Sequence, residues 1–187
     1  MSSSLSAEHE VNVQAIRESF GRVVYSHKTH EKAREIESDK ADRVKWINIT
    51  LVTLTSGTLL TSVITDQKLL LYVSSGVSAL AFAFTIFQLS FNPEKTAEQH
   101  RAVAKELWYV REQYVHLLTD IQTRPNEVDI PRRRDALVEE LKNIYRLAPD
   151  TSSKAYGAAQ EALQIHEDMT FSNDELNRFL PEALRIT

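Results

Sequence analysis

Cysteine is absent from this chain of 187 residues, and glycine and proline are scarce, with four and five copies. Without cysteine there are no disulfides and no cysteine-based catalysis, which fits a reducing compartment. So few glycines and prolines leave little room for strands and the turns that join them. The chain is therefore predicted to be all-α.

Basic residues do not dominate the chain either. The formal net charge is −4 at pH 7, so no basic field covers the molecule, and we expect no direct nucleic-acid binding. The first ten residues lack the apolar stretch of a signal peptide, so no cleaved leader is predicted. No nucleotide-binding loop, nucleophile motif or acid–base pair is recognisable. The sequence therefore predicts a protein that is not an enzyme and has no cofactor.

Formal charge is missing from two long stretches, residues 46–65 and 69–91. As helices they would be about 30 Å and 35 Å long, which matches the hydrocarbon thickness of a bilayer. The link at 66–68 allows only a tight turn between antiparallel helices. The alternative, a hairpin buried in a soluble core, would need more apolar flanking sequence than the chain has. We therefore predict a two-helix transmembrane hairpin.

Lysine and arginine are distributed unequally around this hairpin. The twenty residues before Trp46 carry six of them, the twenty after Phe91 carry four, and the turn carries only Lys68. Basic residues next to membrane helices favour the cytoplasmic side. Both termini are therefore predicted to be cytoplasmic, with the turn outside.

The two segments that flank the hairpin carry side chains at steps of three and four, the pattern of coiled-coil helices. A helix is predicted over residues 6–45. Asn92 as N-cap and Pro93 at the first helical position predict a second over residues 93–122. The stripes comprise Val13, Ile16, Phe20, Val23, His27 and His30 on the first helix, and His100, Val103, Leu107, Val110, Tyr114, Leu117 and Ile121 on the second.

Both arms leave the membrane side by side, so they must run antiparallel and are predicted to form a cytoplasmic stalk. Equal distances from the membrane place Tyr114 near Val23 and Ile121 near Ile16. Residues 33–45 are too polar for a full seam and are candidates for contact with lipid headgroups or a neighbouring protomer. The residues predicted to pack the stalk are Phe20, Val23, Val103, Leu107, Val110 and Tyr114.

The chain is predicted to comprise a core, residues 1–122, and a C-terminal region of cytoplasmic helices, residues 123–187. The residues Ser172 to Glu175 form a capping box, which predicts a short last helix. His27 and His30 lie one turn apart. They could form a metal pair, but no third ligand is fixed by spacing, so a polar core or interface role is favoured.

Each predicted span carries a face rich in hydroxyl groups. Such a face can let helices pack closely and hydrogen-bond, or it can line water. Two such faces are more than the contact within one hairpin requires, so a homo-oligomer is predicted. Two helices cannot enclose a pore, whereas the helices of several copies could. Phe84 is predicted on the opposite, lipid-facing side of the second span. The candidate pore-lining or helix-packing residues are Thr50, Thr53, Gly57, Thr61, Ser74, Ser78, Thr85 and Gln88.

Short motifs along nearly the whole chain resemble the SLATT family, two-transmembrane effectors associated with bacterial nucleotide-signalling and anti-phage systems. Their order and spacing carry the resemblance. They are His27-Lys28-Thr29-His30-Glu31-Lys32, Thr55-Ser56-Gly57, His100-Arg101, Leu107-Trp108, Arg111-Glu112, Tyr114, Leu117-Leu118-Thr119-Asp120, Ile144-Tyr145, Ala148-Pro149-Asp150-Thr151, Ala155-Tyr156 and Phe179-Leu180-Pro181.

The resemblance implies an effector in the bacterial inner membrane that forms pores or disrupts the bilayer, so that an infected cell stops growing or dies. It implies a nucleotide second-messenger synthase or a reverse transcriptase as the functional partner, and it offers no catalytic residues. A second hypothesis is a membrane anchor or scaffold whose cytoplasmic helices recruit a cytosolic enzyme. The two differ in whether the protein makes vesicles leak.

Overall fold

The computed structural model describes residues 2–65, 68–124 and 129–185, and every regular element within them is helical. This confirms the predicted all-α class. The six helices are α1 (Ser2–Thr65), α2 (Lys68–Ser90), α3 (Pro93–Thr123), α4 (Ile130–Leu147), α5 (Ser153–Gln164) and α6 (Asn173–Phe179), followed by a 3-10 turn at Glu182–Leu184.

The longest element, α1, joins the predicted cytoplasmic arm and the first span into one helix of 64 residues. It is about 96 Å long at 1.5 Å per residue. It contains no proline, so nothing interrupts its backbone hydrogen bonds between arm and span. It begins at Ser2, four residues before the predicted start. Two residues of the predicted turn, 66 and 67, lie outside the described residues, and the third, Lys68, is the first residue of α2.

The starts of the later helices follow their local chemistry. The Asn92 side chain accepts a hydrogen bond from the Lys95 backbone N–H at 3.0 Å, and Pro93 occupies the first position of α3. The predicted capping box is present at the start of α6, where Ser172 and Glu175 exchange side-chain and backbone hydrogen bonds. These caps satisfy backbone donors that the helices leave unpaired.

A single seam joins α1 to α2 and then to α3. The least exposed residues of α1 recur at steps of three and four from Ile16 to Ser62, so the stripe predicted for the arm extends through the span. The seam is weaker at residues 33–45, where Ala33 is buried but no residue from 34 to 45 is, in agreement with the prediction that this stretch is too polar for a full seam. The stalk and the hairpin are joined through this stretch of one unbroken helix.

The C-terminal helices fold back on the stalk. Helix α5 packs on α1, and its buried residues are the alanines Ala155, Ala159 and Ala162, which allow close approach. Helix α4 packs on α3 and adds Ile130 and Leu137 to the hydrophobic core. Outside the hairpin, the described chain thus contains a bundle of α1, α3, α4 and α5.

The hairpin extends beyond this bundle with its large apolar side chains uncovered. Helices α1 and α2 are long and apolar enough to cross a membrane. Side chains such as Val63 and Leu89 are 76% and 82% exposed. An uncovered apolar surface of this length is what a lipid-facing hairpin presents. The alternative of a hairpin buried in a soluble core does not fit these exposures.

Candidate functional site

The hairpin has an inner face that brings α1 and α2 together. On α1 its half-buried members include Asn48, Leu51 and Thr55, and the face ends at Ser62, which is buried. On α2 the corresponding stripe is Leu70, Ser74, Val77, Ala81, Phe84 and Gln88, again at steps of four and three. Small and polar side chains on both helices allow this close approach.

Four predicted residues of α1 lie elsewhere. The side chains of Thr50, Thr53, Gly57 and Thr61 are exposed on the side of α1 turned away from the inner face. The three threonine hydroxyls donate to backbone carbonyls one turn earlier, at 2.8 to 2.9 Å. These donors are satisfied inside a bilayer, so the stripe can meet lipid or another helix. We call these four residues the outer stripe.

The predicted residues of α2 divide between two environments. Ser74 is 2% exposed and belongs to the inner face, where its hydroxyl donates to the Leu71 carbonyl. Ser78 and Thr85 are exposed beside that face, and each donates to the carbonyl four residues earlier. The prediction that Phe84 faces lipid is wrong. Its side chain is half-buried in the inner face, because the helix contact is centred between the hydroxyl-rich and apolar sides of α2.

Gln88 lies at the end of the inner face that is next to the stalk. Its side-chain nitrogen is buried and makes no hydrogen bond. The residue lines a cavity of about 450 Å³ where the hairpin meets the stalk, together with Asn48, Lys45 and Arg34. An unsatisfied buried amide in a polar cavity is a natural partner for water or a lipid headgroup.

The predicted stalk residues lie together below this cavity. Val23, Val103, Leu107, Val110 and Tyr114 are buried in one cluster. Phe20 packs against the cluster and is partly buried. Burial raises the pKa of the Tyr114 phenol, while the Ser19 hydroxyl and the Arg22 guanidinium oppose the rise.

Histidines occupy the membrane-proximal end of the stalk core. The Nδ1 atoms of His30 on α1 and His100 on α3 are 2.9 Å apart, and both residues are buried. His27 is buried one turn away on α1, with its Nε2 atom 3.9 Å from a Glu31 carboxylate oxygen and its Nδ1 atom unpartnered.

Burial sets the protonation of this cluster. It is the main cause that lowers the pKa of His30 to about 4, with further lowering by His100 and His27. Burial also lowers the pKa of His100, which the Glu37 carboxylate opposes. The pKa of His27 is lowered by burial as well, and the nearby Arg111 and Lys28 charges add to this while Glu31 opposes it. The cluster is therefore neutral at pH 7.

Contacts between the stalk and the C-terminal helices are the part of the site that the sequence did not predict. The Lys28 ammonium lies 2.9 Å from Asp168 and 3.1 Å from Glu31. Burial lowers the pKa of Lys28, but hydrogen bonds to these two carboxylates outweigh burial and raise the pKa overall. Gln113 of α3 also donates to the Glu140 carboxylate of α4. Nothing in the local spacing of these residues indicates such long-range pairs.

The possible metal pair of His27 and His30 gains no third ligand in the described part of the chain. Within residues 2–65, 68–124 and 129–185, no three histidine, aspartate or glutamate side chains are grouped so that they could hold a metal ion. His27 and His30 instead line the stalk core and its contact with α3. The geometry is that of a packed helical bundle continuous with an apolar hairpin.

Comparison with known proteins places these features in a family. The sequence profile of SMODS and SLOG-associating 2TM effector domain family 4 matches residues 13–175. The match takes in both spans of the hairpin, the stalk and helices α4 and α5. Neither a curated protein nor a solved structure matches the chain.

Proposed function

This chain belongs to the SMODS and SLOG-associating 2TM effector domain family, and from that premise we propose that it oligomerises and permeabilises or depolarises the bacterial inner membrane when triggered. The resulting loss of ion gradients would arrest or kill a phage-infected cell. The protein would act without catalysis, through assembly in the bilayer alone. Two helices long and apolar enough to span a membrane, together with a two-transmembrane family, support a protein that acts in a bilayer.

The observation that carries the proposal is the outer stripe. Its residues take no part in the contact between α1 and α2. Gly57 has no heavy atom within 4 Å of the position where a Cβ would stand, so the space beside it is open in a single chain. Small residues in membrane helices allow close approach of neighbours. A second copy of the hairpin, packed by its α2 flank at Ser78 and Thr85, would fill that space.

Such a contact joins different surfaces of successive copies. Heterologous contacts close into rings when the rotation between copies is suitable. In a ring the hydroxyl oxygens of several hairpins would surround a path with no formal charge, because neither span carries one. Such a path would discriminate poorly between ions. It would open when water fills its hydroxyl and apolar constrictions and close when they lose water.

Triggering would act through the stalk. Because α1 runs without a break from the cytoplasmic bundle into the membrane, a change in packing at the bundle moves the spanning part as one rigid helix. A nucleotide second-messenger synthase or a reverse transcriptase would be the functional partner. Both termini would be cytoplasmic, as the distribution of lysine and arginine favours.

The experiment compares two exposed glycines by measuring membrane depolarisation on overexpression in bacteria, with equal protein verified by blotting. Gly57→Leu places a large side chain on the outer stripe, whereas Gly76→Leu places the same side chain elsewhere on the hairpin. Both positions are open in a single chain, so neither change disturbs its packing. We expect Gly57→Leu to abolish depolarisation and Gly76→Leu to retain it. Equal depolarisation by both variants would rule out the outer stripe as the contact between copies.

The anchor or scaffold function also has an observation in its favour. Large apolar side chains of the C-terminal region, Leu147, Ile165 and Phe179, are more than 70% exposed. Exposed apolar groups of this kind are typical of surfaces that dock a partner. A scaffold would bind a cytosolic protein through this region and would leave ion gradients intact, which the depolarisation measurement distinguishes.

A further inference from the structure

Residues of α1 meet the distant segment 145–156 at one cleft of the bundle. The cleft lies between α1 and the junction of α4 and α5, and its volume is about 310 Å³. Its walls include residues of the segments 27–32, 144–145, 148–151 and 155–156. Neither the hairpin nor the stalk seam requires this convergence.

Three aromatic side chains, Tyr25, Tyr145 and Tyr156, line the cleft. Tyr25 and Tyr156 lie with ring centroids 6.2 Å apart and planes at 28°, close to parallel. Tyr145 and Tyr156 are about half exposed, although both lie against the bundle. Exposed aromatic rings bind other planar rings by stacking, and Tyr156 is the exposed ring of the nearly parallel pair.

Hydrogen bonds hold the rings of Tyr145 and Tyr25 in place. The Tyr145 hydroxyl donates to Ser26 at 2.8 Å, and the Tyr25 hydroxyl accepts from the Gln164 side chain at 2.6 Å. Thr29, at the base of the cleft, donates to the Tyr25 carbonyl at 2.7 Å. A preorganised aromatic wall binds at a lower entropic cost than a mobile one.

The charge of the cleft limits what it can bind. Asp150 is the one acidic residue among its described lining residues, and none of them is lysine or arginine. An ionised carboxylate accepts hydrogen bonds and repels anions. The volume is at the lower end of the range for ligand sites, roughly 300 to 1,000 Å³, and suits a molecule of nucleoside size.

From these observations we propose that the cleft binds an uncharged planar heterocycle with two adjacent N–H donors, the chemistry of the guanine edge, stacked on Tyr156 and hydrogen-bonded to Asp150. A phosphate group on the ligand would weaken binding, because no lining cation compensates it. This binding site is independent of the proposed membrane activity, and its test requires no pore.

The test uses the full chain in detergent and measures binding by isothermal titration calorimetry. The probes are guanosine, adenosine and guanosine 5′-monophosphate. We expect guanosine to bind and the other two to bind about tenfold or more weakly. Adenosine lacks the paired donors, and the monophosphate adds negative charge near Asp150.

Variants assign the binding to the cleft. Asp150→Asn should remove the preference for guanosine over adenosine, and Tyr156→Ala should weaken guanosine binding about tenfold, as expected for a lost stacking contact. Tyr156→Phe keeps the ring and should bind like the wild type. Tyr109→Ala, an exposed tyrosine of α3 outside the cleft, is the matched control. No binding of guanosine at millimolar concentration, tighter binding of the monophosphate, or no effect of Asp150→Asn would each overturn the proposal.

Discussion

The Nδ1 atoms of His30 and His100 lie 2.9 Å apart in a buried contact that joins α1 to α3. A hydrogen bond at this distance needs a proton on one Nδ1 atom and a free lone pair on the other, so the accepting ring must be neutral with its proton on Nε2. Protonation of the accepting ring would make both Nδ1 atoms donors and break the hydrogen bond. The lowered pKa values of both residues favour neutral rings, which agrees with this contact.

The stalk is expected to lose stability as the pH falls below about 6.5. The folded pKa of His30 is about 4 and the unfolded value is 6.5, so the unfolded chain binds more protons between these values. Stability then rises with pH across this window and falls on acidification. Lowering the pH from 7.5 to 5 should reduce the unfolding free energy by about 1 to 2 kcal/mol. Thermal unfolding of the detergent-solubilised protein, followed by circular dichroism, measures this.

The matched variant for this measurement is His30→Gln, which can hydrogen-bond to His100 and does not titrate. Its pH dependence should be flatter than that of the wild type, although His27 and His100 still contribute. An equally steep loss of stability in His30→Gln would show that the pH dependence arises elsewhere.

A charge placed in the middle of the stalk should destabilise it strongly. Leu107 is fully buried, so Leu107→Asp should lower the unfolding free energy by about 3 kcal/mol or more. Phe20→Asp should cost less, because Phe20 is only partly buried. The control is Tyr109→Asp on the exposed side of α3. Melting temperatures that are the same for Leu107→Asp and Tyr109→Asp would contradict the buried seam.

Helix α5 should detach from α1 when its buried face is charged. Ala159 is fully buried against the bundle, whereas the next residue, Gln160, is exposed. Ala159→Asp should therefore make the C-terminal region sensitive to limited proteolysis, and Gln160→Asp should not. If both variants are cut at the wild-type rate, α5 is not held by these alanines.

The topology can be tested with single cysteines, because the chain has none of its own. Lys68→Cys lies at the start of α2, and Val11→Cys lies at an exposed position of α1 far from the hairpin. An impermeant thiol reagent should label the first in whole cells and the second only after lysis. The reverse pattern would place the termini outside.

Local signals were sufficient for much of this fold. Charge-free stretches of membrane length predicted the hairpin, and Asn92 with Pro93 predicted the start of α3 to the residue. The relative position of the two arms was harder. Counting residues from the membrane would place His100 of α3 opposite Glu37 of α1. The His100 ring instead contacts His30, seven residues before Glu37, and Glu37 affects only the pKa of His100. Side-chain interdigitation, which counting does not include, decides this register.

The packing of the C-terminal helices and the inner face of α2 could not be predicted for a related reason. The Lys28–Asp168 ion pair joins residues far apart in sequence, and no periodic pattern encodes such a pair. Phe84 was misplaced because a polar stripe indicates only which face differs from the lipid. It does not indicate how far the contact with α1 is rotated towards the apolar side. Tertiary packing therefore decides the details of the site.

Permeabilisation of a bilayer by assembled hairpins can be measured by reconstituting the purified protein into liposomes loaded with a small fluorescent dye. Raising the protein-to-lipid ratio drives assembly by mass action. We predict that the wild type releases dye more steeply than linearly with this ratio and that Gly57→Leu, at equal reconstitution, releases none. If vesicles stay intact at every ratio of the wild type, the protein does not permeabilise a bilayer, and the anchor function for a partner remains.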